Sequence, residues 1–136
     1  MKTRILHAED DATVRGFLAQ ALGRFGYEVV SDADGEAALL RAKNEPFDIV
    51  ITDHQMPRKD GFALVAALRA ARFEGRIFVL AGALPAEARS QYLRLEVNGI
   101  AAKPISLAAL RALLSDQTPE SKVETVAFQS LLEATG

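Results

Sequence analysis

Short apolar runs alternate five times along the chain with segments whose apolar residues recur at helical spacing. Turn-forming and acidic residues separate the segments, and the alternation repeats at intervals of roughly twenty to thirty residues. Parallel strands need right-handed helical crossovers, so this order predicts a doubly wound α/β domain with helices on both faces of a five-stranded parallel sheet. The predicted strands cover residues 4–8, 27–31, 48–53, 77–81 and 100–102, and the predicted helices cover residues 14–25, 36–44, 62–71, 85–95 and 107–114.

The composition fits a single globular domain. The chain has 136 residues, of which 16 are basic and 18 acidic. This balance of charge is typical of globular proteins, so neither disorder nor a surface that coats nucleic acid is expected. It has no cysteine, which excludes disulfides, thiolate metal sites and cysteine nucleophiles. The longest apolar run, residues 77–84, is too short for a membrane helix, and the N-terminus does not have the pattern of a signal peptide. We therefore expect a soluble, cytoplasmic protein.

Acidic residues and one lysine follow the predicted strands at their carboxyl ends. Glu9 and Asp10 come after the first strand, Asp53 ends the third, and Lys103 follows the fifth. Ligands of doubly wound sheets bind at this edge, close to the point where the strand order reverses. Clustered carboxylates repel one another, a repulsion that Mg²⁺ relieves, and a lysine beside them can pair with a phosphate. The pattern predicts a site for Mg²⁺ and a phosphoryl group.

Asp53 is the candidate reaction centre of this site. A β-branched run ends on it, and Met56-Pro57 and Asp60-Gly61 follow, as expected for a buried strand that delivers a carboxylate to a loop. The segment by itself is equally consistent with an aspartate that only begins a turn. The acids and the lysine at the other strand ends favour the reaction centre.

The motifs at these strand ends stand in the order of a known family. They are Glu9-Asp10, then Asp53 followed by Met56-Pro57 and Asp60-Gly61, then Lys103-Pro104. Together they make the chain resemble the receiver domain of two-component response regulators, the family of the bacterial chemotaxis regulator, over about residues 3–114. The resemblance implies a flavodoxin-like receiver domain at residues 1–114. Residues 115–136 would then form a linker and a short amphipathic tail.

The resemblance also implies a metal site. Asp10 would bind Mg²⁺ directly, and Glu9 would act largely through a metal-bound water. Asp53 would be a further ligand, and Gln55 would contribute only its backbone carbonyl, so that its side chain is irrelevant to the metal.

For the phosphoryl group, the resemblance implies that Asp53 attacks a phosphohistidine of a histidine kinase or a histidine phosphotransfer domain and becomes an aspartyl phosphate. Lys103 would hold a phosphoryl oxygen, and a cis peptide before Pro104 would aim the lysine. Gly82 matches the small residue that keeps the phosphoryl pocket open.

Two residues depart from the family pattern. Ala81 stands where the fourth strand normally ends in threonine or serine, and Ile100 replaces the usual aromatic switch residue of the fifth strand. A methyl group cannot form the hydroxyl's hydrogen bond to the phosphoryl group, and isoleucine has no ring to swing inward. We therefore expect the phosphorylation chemistry to be intact and its conformational readout to be altered.

Three function classes remain open at this point. The leading one is a phosphorylatable receiver that acts on a downstream protein, either free-standing or as part of a hybrid histidine kinase. A pseudo-receiver that only binds partners is favoured by Ala81 and Ile100 and opposed by the acids and the lysine. A Mg²⁺-dependent phosphohydrolase is disfavoured, because such enzymes carry a second acid two residues after the nucleophile, where this chain has Gln55. Monomer and homodimer are both open.

Direct binding of nucleic acid is not expected. Arg58-Lys59 and the basic residues among 69–76 favour a solvated surface, and the tail is too short for a helix-turn-helix domain. Residues 117–121 read as a linker. Residues 127–133 resemble the opening helix of a histidine phosphotransfer domain, although a simple terminal helix is favoured.

The two histidines receive no functional role from the sequence. His54 follows Asp53 directly and is predicted to be an exposed loop residue. His7 lies inside the first strand without a second histidine nearby, so a core histidine with satisfied hydrogen bonds is favoured over a metal ligand.

Overall fold

The computed structural model describes residues 2–115 as five strands that alternate with five helices, as the apolar pattern predicts. The predicted bounds of the strands and helices agree with the observed ones to within two residues. Of the predicted linker and tail at residues 115–136, Ser115 is the last residue of a helix, and residues 116–136 lie outside the described residues. The strands are β1 (Arg4–Ala8), β2 (Glu28–Asp32), β3 (Ile49–Asp53), β4 (Arg76–Ala81) and β5 (Gly99–Ala102). The helices are α1 (Ala12–Arg24), α2 (Gly35–Asn44), α3 (Gly61–Ala70), α4 (Ala86–Arg94) and α5 (Leu107–Ser115).

The sheet is parallel throughout and has the strand order β2-β1-β3-β4-β5. The chain runs from β1 outward to β2 and then returns to the other side of β1 for β3, so the order reverses between β1 and β3. The register pairs Ala8 with Thr52 across this point. Glu9 and Asp53, the next residue of each strand, are therefore neighbours at the carboxyl edge.

The two faces of the sheet bury separate cores, which explains why each helix takes the side it does. Along β3, Ile49 and Ile51 pack with α1 and α5, whereas Val50 between them packs with α2, α3 and α4. Full burial of such a side chain contributes about 1.5–3 kcal/mol, so a one-residue slip of a strand would be strongly disfavoured. Within residues 2–115, no helix has the length and apolar character to cross a membrane.

Several polar residues at the carboxyl edge cap helices. Each of them accepts a hydrogen bond from a backbone N–H in the first turn of the helix that follows, a role that contributes about 1 kcal/mol. These caps are Asp11 on α1, Asp34 on α2, Asp60 on α3 and Ser106 on α5. Three acids of this edge are thus structural, and the cap predicted at Ser106 is confirmed.

Candidate functional site

Three carboxylates that cap no helix meet at the carboxyl edge. Glu9, Asp10 and Asp53 each offer an oxygen, and these oxygens all lie within 4.8 Å of one another. Glu9 and Asp53 are buried, with 1% and 7% of their surface exposed, whereas Asp10 is exposed. Two buried acids and one accessible acid form a cluster that opens to solvent on one side.

Lys103 provides the positive charge of this cluster. Its Nζ donates to Glu9 Oε1 at 3.0 Å and to Asp53 Oδ2 at 3.1 Å. Burial lowers the pKa of Lys103, but the hydrogen bonds and charges of Glu9 and Asp53 outweigh it, so the net effect is a raised pKa. The lysine is therefore a charged counter-ion to two buried acids, which without it would be left unpaired.

Backbone contacts set the position of Lys103. Its N–H donates to the carbonyl of Ala81 at 2.8 Å, which joins the ends of β4 and β5. The peptide bond between Lys103 and Pro104 is cis, as expected. The ammonium group of Lys103 lies at the ends of β1 and β3, where it contacts Glu9 and Asp53.

The turn from β1 into α1 orients Glu9. The backbone N–H of Asp11 donates to Glu9 Oε2 at 3.1 Å, while Arg15 donates to the backbone carbonyls of Glu9 and Asp10 at 2.9 and 3.3 Å. Both side-chain oxygens of Glu9 thus have partners, one from Lys103 and one from the turn. The carboxylate is held in one orientation.

The donor set suits a hard divalent cation. Carboxylate oxygens are the ligands that Mg²⁺ prefers, and the exposed Asp10 leaves room for the waters that Mg²⁺ retains. Gln55, the other predicted ligand, lies on the loop after Asp53, and its side chain is exposed. Glu9, Asp10 and Asp53 are therefore the side chains that could hold the ion.

The residues around the predicted phosphoryl pocket are small or apolar. Ala81 is buried at the end of β4, and a Cβ added at Gly82 would meet no atom within 4 Å. Ile100 is buried in the core that α2, α3 and α4 cover. The end of β4 is open, and neither Ala81 nor Ile100 brings a polar group to it.

His54 lies in the loop after β3, as predicted, but the prediction that it is exposed is wrong. The residue is half-buried, and its Nδ1 and the Tyr92 hydroxyl share a hydrogen bond of 2.5 Å. The sequence does not show this contact, because Tyr92 lies 38 residues away on α4. The only signal is a lone tyrosine in an otherwise mostly polar helix.

Tyr92 and its neighbours are tightly packed. The ring makes edge contacts with His54 and Phe62, at centroid separations of 5.5 and 5.7 Å. Burial raises the pKa of Tyr92, and the charges of Asp60 and Asp53 add to the increase. A Cβ at Gly61 would collide with the Asp53 carbonyl and stand 3.0 Å from the Tyr92 hydroxyl, so α3 can begin here only on glycine.

The loop between β3 and α3 is attached to the start of α2. Arg58 has a φ of 67° and donates to Asp34 Oδ2 at 2.5 Å. The hydrogen bond from the Ala37 backbone N–H lowers the pKa of Asp34, and the hydrogen bond from the Arg58 guanidinium lowers it further. A side chain at Gly35 would collide with the carbonyl of Lys59. Arg58 is thus largely exposed yet paired, which only partly fits the predicted solvated surface.

Arg69 departs further from that prediction. It lies in α3, and its guanidinium donates to the carbonyls of Phe73 and Gly75, which precede β4, and of Leu95 and Glu96, which follow α4. The distances run from 2.8 to 3.1 Å. The guanidinium thus binds backbone carbonyls at helix ends and in a turn, whereas the prediction placed it on a solvated surface.

His7 is a core residue, as predicted, but its ring is not fully satisfied. Nδ1 lies 3.3 Å from Ser31 Oγ, while Nε2 has no hydrogen-bond partner among the described residues. Burial lowers the pKa of His7 to about 4, and the positive charges of Arg15 and Lys103 contribute. The imidazole is therefore neutral at physiological pH.

Comparisons with known proteins point in one direction. The model of the response regulator receiver domain matches residues 5–115. The sensor protein EvgS of Escherichia coli K12 is 35% identical over 114 residues, which are 84% of this chain but only 10% of that protein. This chain therefore spans about a tenth of that relative.

Two solved structures resemble the chain closely. The chemotaxis protein CheY4 of Vibrio cholerae gives a TM-score of 0.79 at 27% identity, covering 85% of this chain and 98% of that one. A response regulator of Burkholderia pseudomallei, solved with a phosphorylated aspartic acid, a calcium ion and citrate, gives 0.82 at 28% identity, covering 96% of this chain and 74% of that one.

Proposed function

Because the chain belongs to the family of response regulator receiver domains, we propose that Asp53 accepts a phosphoryl group from the phosphohistidine of a histidine kinase or a histidine phosphotransfer domain. The observation that carries this proposal is the buried cluster in which Lys103 binds both Glu9 and Asp53 at the switch point of the sheet. Receiver domains are signalling modules, and the proposal requires no turnover of a substrate.

In the transfer, a carboxylate oxygen of Asp53 attacks the phosphorus, and the bond from phosphorus to the histidine nitrogen breaks. Phosphoryl transfer asks the protein for alignment and charge stabilisation more than for covalent chemistry. Lys103, whose Nζ lies 3.1 Å from Asp53 Oδ2, can pair with a phosphoryl oxygen as charge builds there. The buried setting of Asp53 strengthens that pairing.

Mg²⁺ would be held by Glu9, Asp10 and Asp53 together with the backbone carbonyl of Gln55, and when bound it supplies neutralisation of the phosphoryl charge. The three clustered carboxylates support this assignment. The relative from Burkholderia pseudomallei supports it as well, since its structure holds a modified aspartate and a hard divalent cation on the same fold.

The test is phosphoryl uptake from acetyl phosphate with Mg²⁺, followed by intact-mass spectrometry. We expect one phosphoryl adduct on the wild-type protein and none on Asp53→Asn. Asp48→Asn is the matched control, because Asp48 precedes the same strand at its other end and accepts the N–H of Arg4. Uptake by Asp53→Asn equal to that of the wild type would overturn the assignment.

The same assay separates the alternatives. A partner-binding pseudo-receiver, which Ala81 and Ile100 favour, would give no adduct. A phosphohydrolase would release phosphate continuously, although Gln55 occupies the position where such an enzyme needs its second acid. A stable adduct supports the receiver.

We further propose that the domain acts in the cytoplasm and signals to a downstream protein without contacting nucleic acid. Its net charge of -2 offers no excess of positive charge for a polyanion. The match to a sensor protein of which the aligned residues make up 10% supports a receiver module of a hybrid kinase, and the match to CheY4 supports a free-standing one. Asp53 has the same role in both settings.

A further inference from the structure

Tyr92 brings a hydroxyl group from α4 into the core beside the proposed acceptor. The side chain is fully buried and belongs to the apolar cluster that also contains Leu64, Val97 and Ile100. The structure gives its hydroxyl one hydrogen bond, to His54 Nδ1 at 2.5 Å. A polar contact in this setting joins α4 directly to the residue that follows Asp53.

His54 cannot move independently of the strand end that carries Asp53. Its backbone N–H donates to the carbonyl of Leu80 on β4 at 2.9 Å, and its own carbonyl accepts from the N–H of Gly61 at the start of α3 at 2.8 Å. The residue therefore connects the acceptor position with β4, α3 and α4. A displacement of the loop after β3 reaches all three elements.

The two positions at which the chain departs from the family pattern, Ala81 and Ile100, have no polar group. Ala81 ends β4 with a methyl group, and Ile100 is an aliphatic residue packed in the same cluster as Tyr92. The hydrogen bond between His54 and Tyr92, by contrast, brings two polar groups together and joins the segment next to Asp53 to α4.

The hydrogen bond between His54 and Tyr92 can couple the two residues because breaking it is unfavourable. A buried hydroxyl that has no hydrogen-bond partner is unfavourable, so a displacement of His54 favours a matching displacement of α4. We propose that the hydrogen bond between His54 and Tyr92 transmits the phosphorylation state of Asp53 to α4. The inference rests on the proposed phosphorylation of Asp53 and adds how that modification is sensed. Both ends then belong to one two-state equilibrium, which either end can bias.

The decisive variant is Tyr92→Phe, which removes the hydroxyl and keeps the ring. Tyr27→Phe is the matched control, because it makes the same chemical change at the only other tyrosine, which packs against the core on the α1 and α5 side. Tyr92 touches neither Lys103 nor the acids of the cluster through any hydrogen bond. Both variants should therefore take up the phosphoryl group as the wild type does.

The measurement is hydrogen–deuterium exchange of the peptides that cover α4, with and without acetyl phosphate and Mg²⁺, on samples whose adduct is counted by intact mass. We expect phosphorylation to change the exchange of α4 in the wild type and in Tyr27→Phe. In Tyr92→Phe the change should be smaller by about threefold or more at equal phosphorylation.

Each outcome decides something. An unchanged α4 response in phosphorylated Tyr92→Phe overturns the coupling and leaves the proposed function intact. A wild-type protein without adduct overturns the proposed function and the coupling with it. A phosphorylated wild-type protein whose α4 exchange does not change overturns the coupling alone.

A second readout uses the absence of tryptophan. In Tyr27→Phe, Tyr92 is the sole tyrosine, so its emission reports the state of its hydroxyl directly. We expect that emission to change on phosphorylation, whereas the emission of Tyr27 in the Tyr92→Phe protein should stay constant. Constant emission from Tyr92 in a fully phosphorylated sample would contradict the coupling.

Discussion

Two hydrogen-bonded groups flank Asp53, and they differ in almost every respect. On one side, Lys103 and Glu9 form a charged cluster that opens to solvent through Asp10. On the other side, His54 and Tyr92 form a contact inside an apolar core. The first group has the residues that phosphoryl transfer requires, and the second offers a connection to α4. The proposed chemistry and its proposed readout thus lie on opposite sides of one strand end.

The largest expected effect comes from the residue where the two groups meet. Gly61→Ala places a Cβ against the Asp53 carbonyl and close to the Tyr92 hydroxyl, so the free energy of unfolding should fall by about 3 kcal/mol. Gly16→Ala is the control, because a Cβ there meets nothing within 4 Å in the middle of α1, and it should gain up to about 1 kcal/mol. Urea denaturation measures both. Equal stability of the two variants would contradict the close approach at Gly61.

Removing the lysine should affect the charged group and spare the apolar one. Lys103→Met deletes the donor to Glu9 and Asp53, so the rate of phosphoryl uptake from acetyl phosphate should fall by about a hundredfold. Lys59→Met removes a lysine from the loop beyond Asp53 and should keep the wild-type rate. An unchanged rate in Lys103→Met would show that the lysine is only structural.

Protonation of His7 would add a positive charge near Lys103, and it should make the stability of the domain depend on pH. Its pKa is about 4 in the fold and 6.5 in the unfolded chain, so the unfolded state binds the proton more readily. The contribution of neutral His7 to the free energy of unfolding is therefore complete above pH 6.5 and is lost as the pH falls towards 4. Between pH 7.5 and 5 the loss should be about 2 kcal/mol. Urea titrations of the wild type and His7→Val measure it, and an equal pH dependence in the variant would refute it.

The smallest effect belongs to the apolar group. Tyr92→Phe should lower the free energy of unfolding by about 1 kcal/mol, because Nδ1 of the half-buried His54 loses its partner. Tyr27→Phe should leave it nearly unchanged. Thermal or urea denaturation distinguishes the two. Because both variants keep the aromatic ring, equal stability of Tyr92→Phe and Tyr27→Phe would contradict a stabilising hydrogen bond between His54 and Tyr92.

The charged side of Asp53 could be predicted from the sequence, and the apolar side could not. Glu9, Asp53 and Lys103 each stand at the end of a strand, and the topology of a parallel sheet brings strand ends together whatever the details of packing. The contact of His54 with Tyr92 depends on the turn of α4 and on the reach of one side chain across 38 residues. The same reason applies to Arg69, because the sequence does not show which carbonyls an arginine in a basic region will contact.

The contacts of Arg69 have a mechanical consequence for α4. Its guanidinium holds the carbonyls of Leu95 and Glu96, so the carboxyl end of the helix is anchored to α3. At the amino end, Pro85 provides no side-chain cap. A rigid helix that is held at one end rotates about that end. With nine residues, α4 is about 13 Å long. A small displacement of Tyr92, which lies near the fixed end, would therefore produce a larger displacement at Pro85. A partner that binds the amino end of α4 would meet the greatest change in position.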